Sequence, residues 1–235
     1  MKTVSILKFV EYAQQILMMF AILIQTYSLH VYGQSAHRMT ETKENDEALI
    51  NTLRMLVGAS HEAVEIRLHG FCVVPYSEAI TVPPILWEDV GGEGDLAAII
   101  RAALRENKQL SVARISPHVI VIRDTTVPQE LLETRIDSLS PTKLEQYSPE
   151  SAIAAAINSK AIQLALRRLD MRLAVSETGL QHVNASGEPH LGRHIKNVTL
   201  NGVLFSVLEK FGGFVVYEDC ADSQGKRRFD VRYYK

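Results

Sequence analysis

The spacing of apolar residues predicts short helices and strands along most of the chain. The apolar residues that follow Asp46 recur at the spacing of an amphipathic helix: Leu49, Ile50, Leu53, Leu56 and Val57. Residues 64–69 then alternate apolar and polar side chains, which is the period of a half-buried strand. A second helix is predicted over residues 96–104, and two strands joined by a turn are predicted at 110–115 and 118–122.

The second half of the chain predicts the same kinds of element. One long helix is expected from Pro149 to Leu169, with Ser148 before it as the N-cap. Short strands are expected at 171–175 and 195–198. An amphipathic helix over residues 200–208 is followed by a hairpin that ends the chain.

These elements predict an α+β fold of two small units, each with helices packed on a mostly antiparallel sheet. The first unit spans residues 46–124 and the second spans 150–235. Residues 125–149 contain three prolines among polar residues and are predicted to be a linker. Residues 34–45 are polar and are expected to form a flexible leader.

The two predicted units show one shared spacing. Three apolar residues of each unit's amphipathic helix are separated by the same offset of 104 positions: Leu96, Ile100 and Leu104 against Leu200, Leu204 and Leu208. The pattern predicts a tandem repeat in which residues 94–124 and 195–235 superpose as a helix followed by a hairpin. The alternative is that two common βαββ strings arose separately.

The N-terminal 33 residues have the layout of a signal peptide, because Lys2 and Lys8 precede an apolar run at residues 16–24. A nine-residue run rises only about 14 Å as a helix, less than half of a hydrocarbon core. We therefore expect cleavage, a mature protein that begins between Gln34 and His37, and export to a bacterial periplasm or the extracellular space. No stable membrane span is expected after cleavage. An uncleaved segment kept as an anchor is the alternative.

Composition excludes some functions. Hydrophobic residues make up 46% of the chain and charged residues 22%, as in folded soluble proteins. The 25 basic and 27 acidic residues leave no surplus of positive charge for a nucleic acid backbone. Nucleic acid is therefore not an expected partner.

The sequence nominates no catalytic, cofactor-binding or metal-binding residue, and we expect neither an enzyme nor a cofactor. His61 and Glu62 begin a zinc-protease pattern, but Glu65 stands where the second histidine is needed. The glycine-rich residues 91–94 lack the lysine of a P-loop and are expected to form a turn. His190 and His194 have the spacing of metal ligands, but Pro189 and Gly192 favour a loop.

One segment resembles a known kind of domain. The strings 195–217 and 229–234 resemble the short N-terminal domain of secretins and TonB-dependent receptors, which has the order strand, Val-Thr-Leu, amphipathic helix, glycine, hairpin. Residues 95–123 resemble a second, more degenerate copy. The resemblance implies a periplasmic interaction module that docks on a peptide or protein. A pore or receptor role is not carried over, because the sequence ends at Lys235 without the pore or barrel of those families.

Together these patterns predict an exported, non-catalytic interaction module that binds a protein or peptide partner by strand addition at an exposed sheet edge. Two alternatives stay open. One is a metal-dependent hydrolase with a site at His190 and His194, and the other is a membrane-anchored structural protein of the cell envelope.

The two cysteines give conflicting signals. An even count in an exported protein favours a disulfide between Cys72 and Cys220. Cys72 is an even number of residues from Leu68, so it is expected to face the core of the first unit. Cys220 is expected at the open end of the hairpin in the second unit. We therefore predict two free thiols, with Cys220 the more reactive.

Overall fold

The centre of the fold is a six-stranded sheet with helices on both of its faces. The computed structural model of the chain describes the following residues: 50–60, 62–71, 95–105, 108–173, 190–221 and 226–235. The strands are β1 (Ala63–Phe71), β2 (Leu110–Arg114), β3 (Val119–Asp124), β4 (Arg135–Leu139), β5 (Met171–Leu173), β6 (Ile195–Thr199), β7 (Phe214–Ala221) and β8 (Arg227–Tyr234). The helices are α1 (50–60), α2 (Leu96–Ala103), α3 (Lys143–Tyr147), α4 (Pro149–Ile157), α5 (Lys160–Arg168) and α6 (Leu200–Phe211).

The strand order of the large sheet is β2-β3-β1-β7-β8-β5. The central strand β1 is parallel to both of its neighbours, β3 and β7, and β5 is parallel to β8. The β2/β3 and β7/β8 pairs are antiparallel hairpins. Strands β4 and β6 form a separate two-stranded antiparallel sheet. The predicted α+β class is confirmed, with a sheet that is mixed.

Alternation along the strands divides the apolar side chains between two cores. The α2 face of the sheet is covered by α1 and α2, and its core includes Leu53, Ile66, Ile100, Ile122 and Phe214. The α6 face is covered by α4, α5 and α6, and its core includes Ile153, Leu166, Val203, Leu204 and Val215. Because both faces are covered, the polar side chains of β1 are buried as well.

Strands from both predicted units lie in one sheet. β1, from the predicted first unit, pairs with β7, from the predicted second unit, from Val64 opposite Phe214 to Phe71 opposite Ala221. Residues Glu44–Lys235 accordingly form one compact unit. The predicted linker 125–149 contains β4 and α3, and it contributes buried apolar residues to the α6-face core: Leu131, Leu132, Ile136 and Leu139. The pattern within each half identified elements but not the pairing between halves.

The predicted long helix from Pro149 to Leu169 is two helices, α4 and α5. Asn158 and Ser159 separate them, and the Ser159 hydroxyl accepts a hydrogen bond from the backbone N–H of Ile162 at 3.4 Å. The Ser148 hydroxyl caps α4 in the same way, accepting from the N–H of Ser151 at 3.2 Å. A serine that can cap a helix competes with continuation of the preceding helix.

Helix followed by hairpin occurs at both places where a repeat was predicted. α2 precedes β2 and β3, and α6 precedes β7 and β8. The two helices cover opposite faces of the sheet, however, and β1 pairs with the second strand of one hairpin and the first strand of the other. A duplication of sequence therefore stays a prediction.

None of the described helices is long and apolar enough to cross a membrane. The predicted signal peptide, its cleavage site and the leader lie outside the described residues.

The turn from α6 into β7 contains two glycines with positive φ, Gly212 at 69° and Gly213 at 73°. A Cβ at Gly213 would lie 2.4 Å from the Tyr234 carbonyl oxygen, whereas a Cβ at Gly212 would meet nothing within 4 Å. Both alanine substitutions strain the backbone, but only Gly213→Ala adds a steric clash. We expect Gly213→Ala to lower the free energy of unfolding by about 1–3 kcal/mol more than Gly212→Ala does. Urea denaturation measures both, and equal losses would contradict this expectation.

Candidate functional site

A polar cluster lies on the α6 face where β1 and β7 run side by side. The register places Arg67 opposite Tyr217 and His69 opposite Asp219. We call these four residues, together with Glu65 and Arg227, the β1/β7 polar cluster. Opposed residues on adjacent strands lie about 5 Å apart, so the side chains of the cluster can reach one another.

The inner part of the cluster is a paired charge. Arg67 donates to the two carboxylate oxygens of Glu65, at 2.7 and 2.9 Å, and the side chains are 6% and 0% exposed. Arg67 also donates to the Asn201 side-chain oxygen at 2.5 Å, in the first turn of α6. The two charges cancel, and this part of the cluster is satisfied.

The outer part of the cluster contains Asp219. Arg227 donates from Nη2 to Asp219 Oδ2 at 2.5 Å, and the Asp219 side chain is fully buried whereas that of Arg227 is 23% exposed. Burial raises the pKa of the Asp219 carboxyl above its usual range, and the hydrogen bond from Arg227 opposes that effect. The Asp219–Arg227 pair is electrically neutral when both groups are ionised.

Three buried polar atoms of the cluster have no hydrogen-bond partner among the described residues: Tyr217 Oη, Asp219 Oδ1 and His69 Nδ1. His69 Nδ1 and Asp219 Oδ1 face each other at 3.9 Å, too far apart for a direct hydrogen bond. Burial raises the pKa of the Tyr217 hydroxyl, so this hydroxyl stays protonated and can donate. Unsatisfied buried polar atoms are uncommon in folded proteins, and three on one patch call for an explanation.

The cluster lies beside β1, where the strand order changes direction, because β3 and β7 lie on opposite sides of β1 in the sheet. Between β1 and β3 the chain forms α2, on one face of the sheet, and the strand β2. Between β3 and β7 it forms several elements that end with α6, on the other face. β3, β1 and β7 are parallel, and His69 and Asp219 are both two residues from the carboxyl ends of their strands. In parallel sheets, ligands bind outside the carboxyl ends at such a reversal.

A second feature is the outer edge of β2, which is the first strand in the sheet order. The N–H of Ile115 donates to Val119 O at 3.0 Å, and the N–H of Thr125 donates to Gln109 O at 3.0 Å. In an antiparallel ladder every second residue directs its backbone N–H and C=O groups toward the neighbouring strand. Three residues therefore direct these groups away from β3: Leu110, Val112 and Arg114. Within the described sheet, β2 is therefore an edge strand whose outward backbone groups pair with no other strand, and the Val112 C=O accepts from Arg101 Nε at 3.4 Å.

The histidines considered as metal ligands are on the surface. His194 Nδ1 lies 3.2 Å from Ser140 Oγ, and the His190 ring is 5.4 Å from the Tyr147 ring, centroid to centroid. Both histidines are exposed. Across the described residues, no three His, Cys, Asp or Glu side chains are grouped to hold a metal ion. His61 and residues 91–94 lie outside the described part of the chain.

The sequence did not nominate the β1/β7 polar cluster. The charged residues that alternate with apolar ones in β1 were interpreted as the solvent side of a half-buried strand, but Glu65 is 0% exposed and Arg67 5%. A strand that is buried on both faces needs a partner for each charge it contains. The nearest sequence signal was the pair Glu65 and Arg67, two residues apart on one face with opposite charges.

The prediction of two free thiols is wrong, because Cys220 is disulfide-bonded. The sequence contains one other cysteine, Cys72, which lies outside the described residues. Gly70 is opposite Cys220 in the β1/β7 ladder, a pairing between the two halves that the sequence pattern did not reveal.

Comparison of the chain with models of protein families, with curated proteins and with solved structures finds no match. The resemblance to the short domain of secretins and TonB-dependent receptors thus stays a prediction.

Proposed function

We propose that this protein is an exported, non-catalytic interaction module that binds a protein or peptide partner by strand addition at β2. The observation that supports this most is the unpaired outer edge of β2 within the described sheet. An extended segment placed there would exchange backbone hydrogen bonds with Leu110, Val112 and Arg114.

The surroundings of β2 favour a particular peptide. Ser111 and Ala113 are exposed and small, so a peptide's side chains on the α6 face would meet little steric resistance. Near the same edge, Arg101 is exposed and its Nε donates to Val112 O at 3.4 Å, and Lys108 is exposed next to the start of β2. Two cations at the edge favour a peptide that contains acidic side chains.

Export is supported by two observations. The N-terminal residues have the layout of a signal peptide. Cys220 is disulfide-bonded, and structural disulfides persist mainly in oxidising compartments such as the periplasm and the extracellular space.

Strand addition is tested by Val112→Pro, with Val112→Ala as the matched control. The N–H of Val112 points away from β3, so proline removes a donor that only an added strand would use. Both variants lose the same apolar side chain, but only proline removes the donor and places a ring at the edge. We expect Val112→Pro to weaken partner binding by about tenfold or more and Val112→Ala to change it little.

The measurement is photo-cross-linking in cells from a reactive amino acid at Ser111, with Leu164 on α5 as an exposed control position. The cross-linked partner is identified by mass, and its yield is compared between the two Val112 variants. Equal yields from Val112→Pro and Val112→Ala would contradict strand addition at β2. A cross-link to a second copy of the chain would show that the edges of two copies pair instead.

A further inference from the structure

We propose that Arg101 selects the strand that adds to β2 by pairing with an acidic side chain opposite Val112. The inference rests on the proposed strand addition and deepens it, because it assigns the recognition of one position of the partner to one residue of the protein. Backbone hydrogen bonds along an edge form with any extended segment, so the choice among segments has to come from side chains.

Arg101 reaches the middle of the β2 edge. It is exposed in the last turn of α2, and its Nε donates to the Val112 carbonyl oxygen at 3.4 Å. Val112 is the central one of the three residues whose backbone groups point away from β3. An added strand places its own N–H against this oxygen, so it displaces the guanidinium of Arg101. The displaced guanidinium is left to solvent unless the added strand offers it a new acceptor.

The new acceptor has to come from the residue opposite Val112. The Val112 side chain packs against the α2-face core, and residues opposite each other on adjacent strands direct their side chains to the same face. The partner's side chain at this position therefore lies on the α2 face, about 5 Å from Val112 and on the side from which Arg101 approaches. A carboxylate there accepts from two guanidinium nitrogens, which an amide, a hydroxyl or an apolar side chain does not match.

The charges along the edge favour an acid at this position over the next one. At the far end of β2, Arg114 donates from Nη1 to Glu62 Oε1 at 2.5 Å and from Nη2 to Asp95. Two carboxylates therefore already face one guanidinium at that end. Arg101 has no ion pair with a carboxylate of the described residues. An acidic side chain is consequently attracted opposite Val112 and repelled opposite Arg114.

The sequence of β2 makes a second copy of the chain a poor occupant of this edge. When the outward-directed residues of two β2 strands pair, Val112 lies opposite Leu110, Val112 or Arg114 of the other copy, and none of these is acidic. When Val112 lies opposite its own counterpart, the two-fold axis also brings the two Arg101 side chains toward each other. The edge therefore favours a different chain that supplies a carboxylate.

The experiment begins with a library of random ten-residue peptides displayed on yeast. It is selected for binding to the purified, disulfide-bonded protein, and the selected peptides are then tested against Val112→Pro and Val112→Ala. Peptides whose binding is lost in Val112→Pro alone use the β2 edge. We expect these peptides to be enriched in aspartate or glutamate, flanked by residues typical of strands.

Charge reversal then identifies the residue that recognises the acid. Arg101→Glu and Lys108→Glu are matched, because both positions are exposed and both changes alter the net charge equally. For wild type, we expect replacement of the peptide's acid by its amide to weaken binding about threefold to fivefold, and replacement by lysine to weaken it about tenfold. Arg101→Glu should prefer the lysine peptide, whereas Lys108→Glu should still prefer the acidic one. Arg101→Lys keeps the charge and should keep the acidic preference at reduced strength.

Fluorescence anisotropy with each synthetic peptide at about 0.15 M salt measures these affinities, since higher salt would screen an exposed pair. Edge-binding peptides without an acidic preference, or a preference that Arg101→Glu leaves unchanged, would overturn the role of Arg101 while strand addition stands. A library that yields no peptide sensitive to Val112→Pro would overturn both.

Discussion

Reduction of the disulfide bond at Cys220 is expected to lower the free energy of unfolding by about 2–5 kcal/mol. The sequence contains one other cysteine, Cys72, so an intramolecular bond at Cys220 closes a loop of roughly 150 residues. A bond across so long a loop removes many conformations from the unfolded chain, which raises its free energy relative to the native state. The loss is measured by urea denaturation with and without reductant.

The matched control for reduction is the double variant Cys72→Ser/Cys220→Ser. It should show the stability of the reduced protein and should not respond to reductant. Thiol titration of the denatured, unreduced protein should detect no free thiol. Two titratable thiols per chain, or a stability that reductant leaves unchanged, would contradict the bond.

The fold was predictable where the signal is local. Asp95 before α2, Ser148 before α4 and the alternation in β3 each mark an element within a few residues of its observed bounds. The error at Ser159 is local as well, because a serine inside an apolar helical pattern was not recognised as the cap of a new helix.

Pairing between distant segments could not be predicted. Nothing in the pattern of β1 or β7 specifies that Val64 lies opposite Phe214, because any two apolar strands of suitable parity could pair. The wrong prediction for Cys220 has this origin. Position 72 is an even number of residues from Leu68, so the alternation of a strand predicts that Cys72 faces the same core as Leu68. Cys220 packs in that core, on the α2 face. The sequence pattern did not supply the pairing of β1 with β7. The β1/β7 polar cluster was missed for the same reason, since three of its residues come from β1, two from β7 and one from β8.

Among substitutions of single polar side chains, we expect the largest loss of stability from one in the buried ion pair of Glu65 and Arg67. Glu65→Ala leaves Arg67, which is 5% exposed, with the Asn201 side-chain oxygen on α6 as its remaining hydrogen-bond partner among the described residues. A buried charge that loses its counterion costs about 3–5 kcal/mol of stability. We therefore expect Glu65→Ala to lower the free energy of unfolding by that amount.

Two matched variants separate this effect from simple loss of contacts. Glu65→Leu/Arg67→Met removes both charges while keeping apolar volume, and it should cost much less than Glu65→Ala, because no charge is then left buried without a partner. Glu62→Ala breaks the half-exposed pair with Arg114, whose side chains are 19% and 28% exposed, and should cost less than about 1 kcal/mol. Urea denaturation ranks the three variants. If the double variant is as unstable as Glu65→Ala, the pair stabilises the fold through its specific hydrogen bonds, and the unpaired charge of Arg67 is not the cause of the loss.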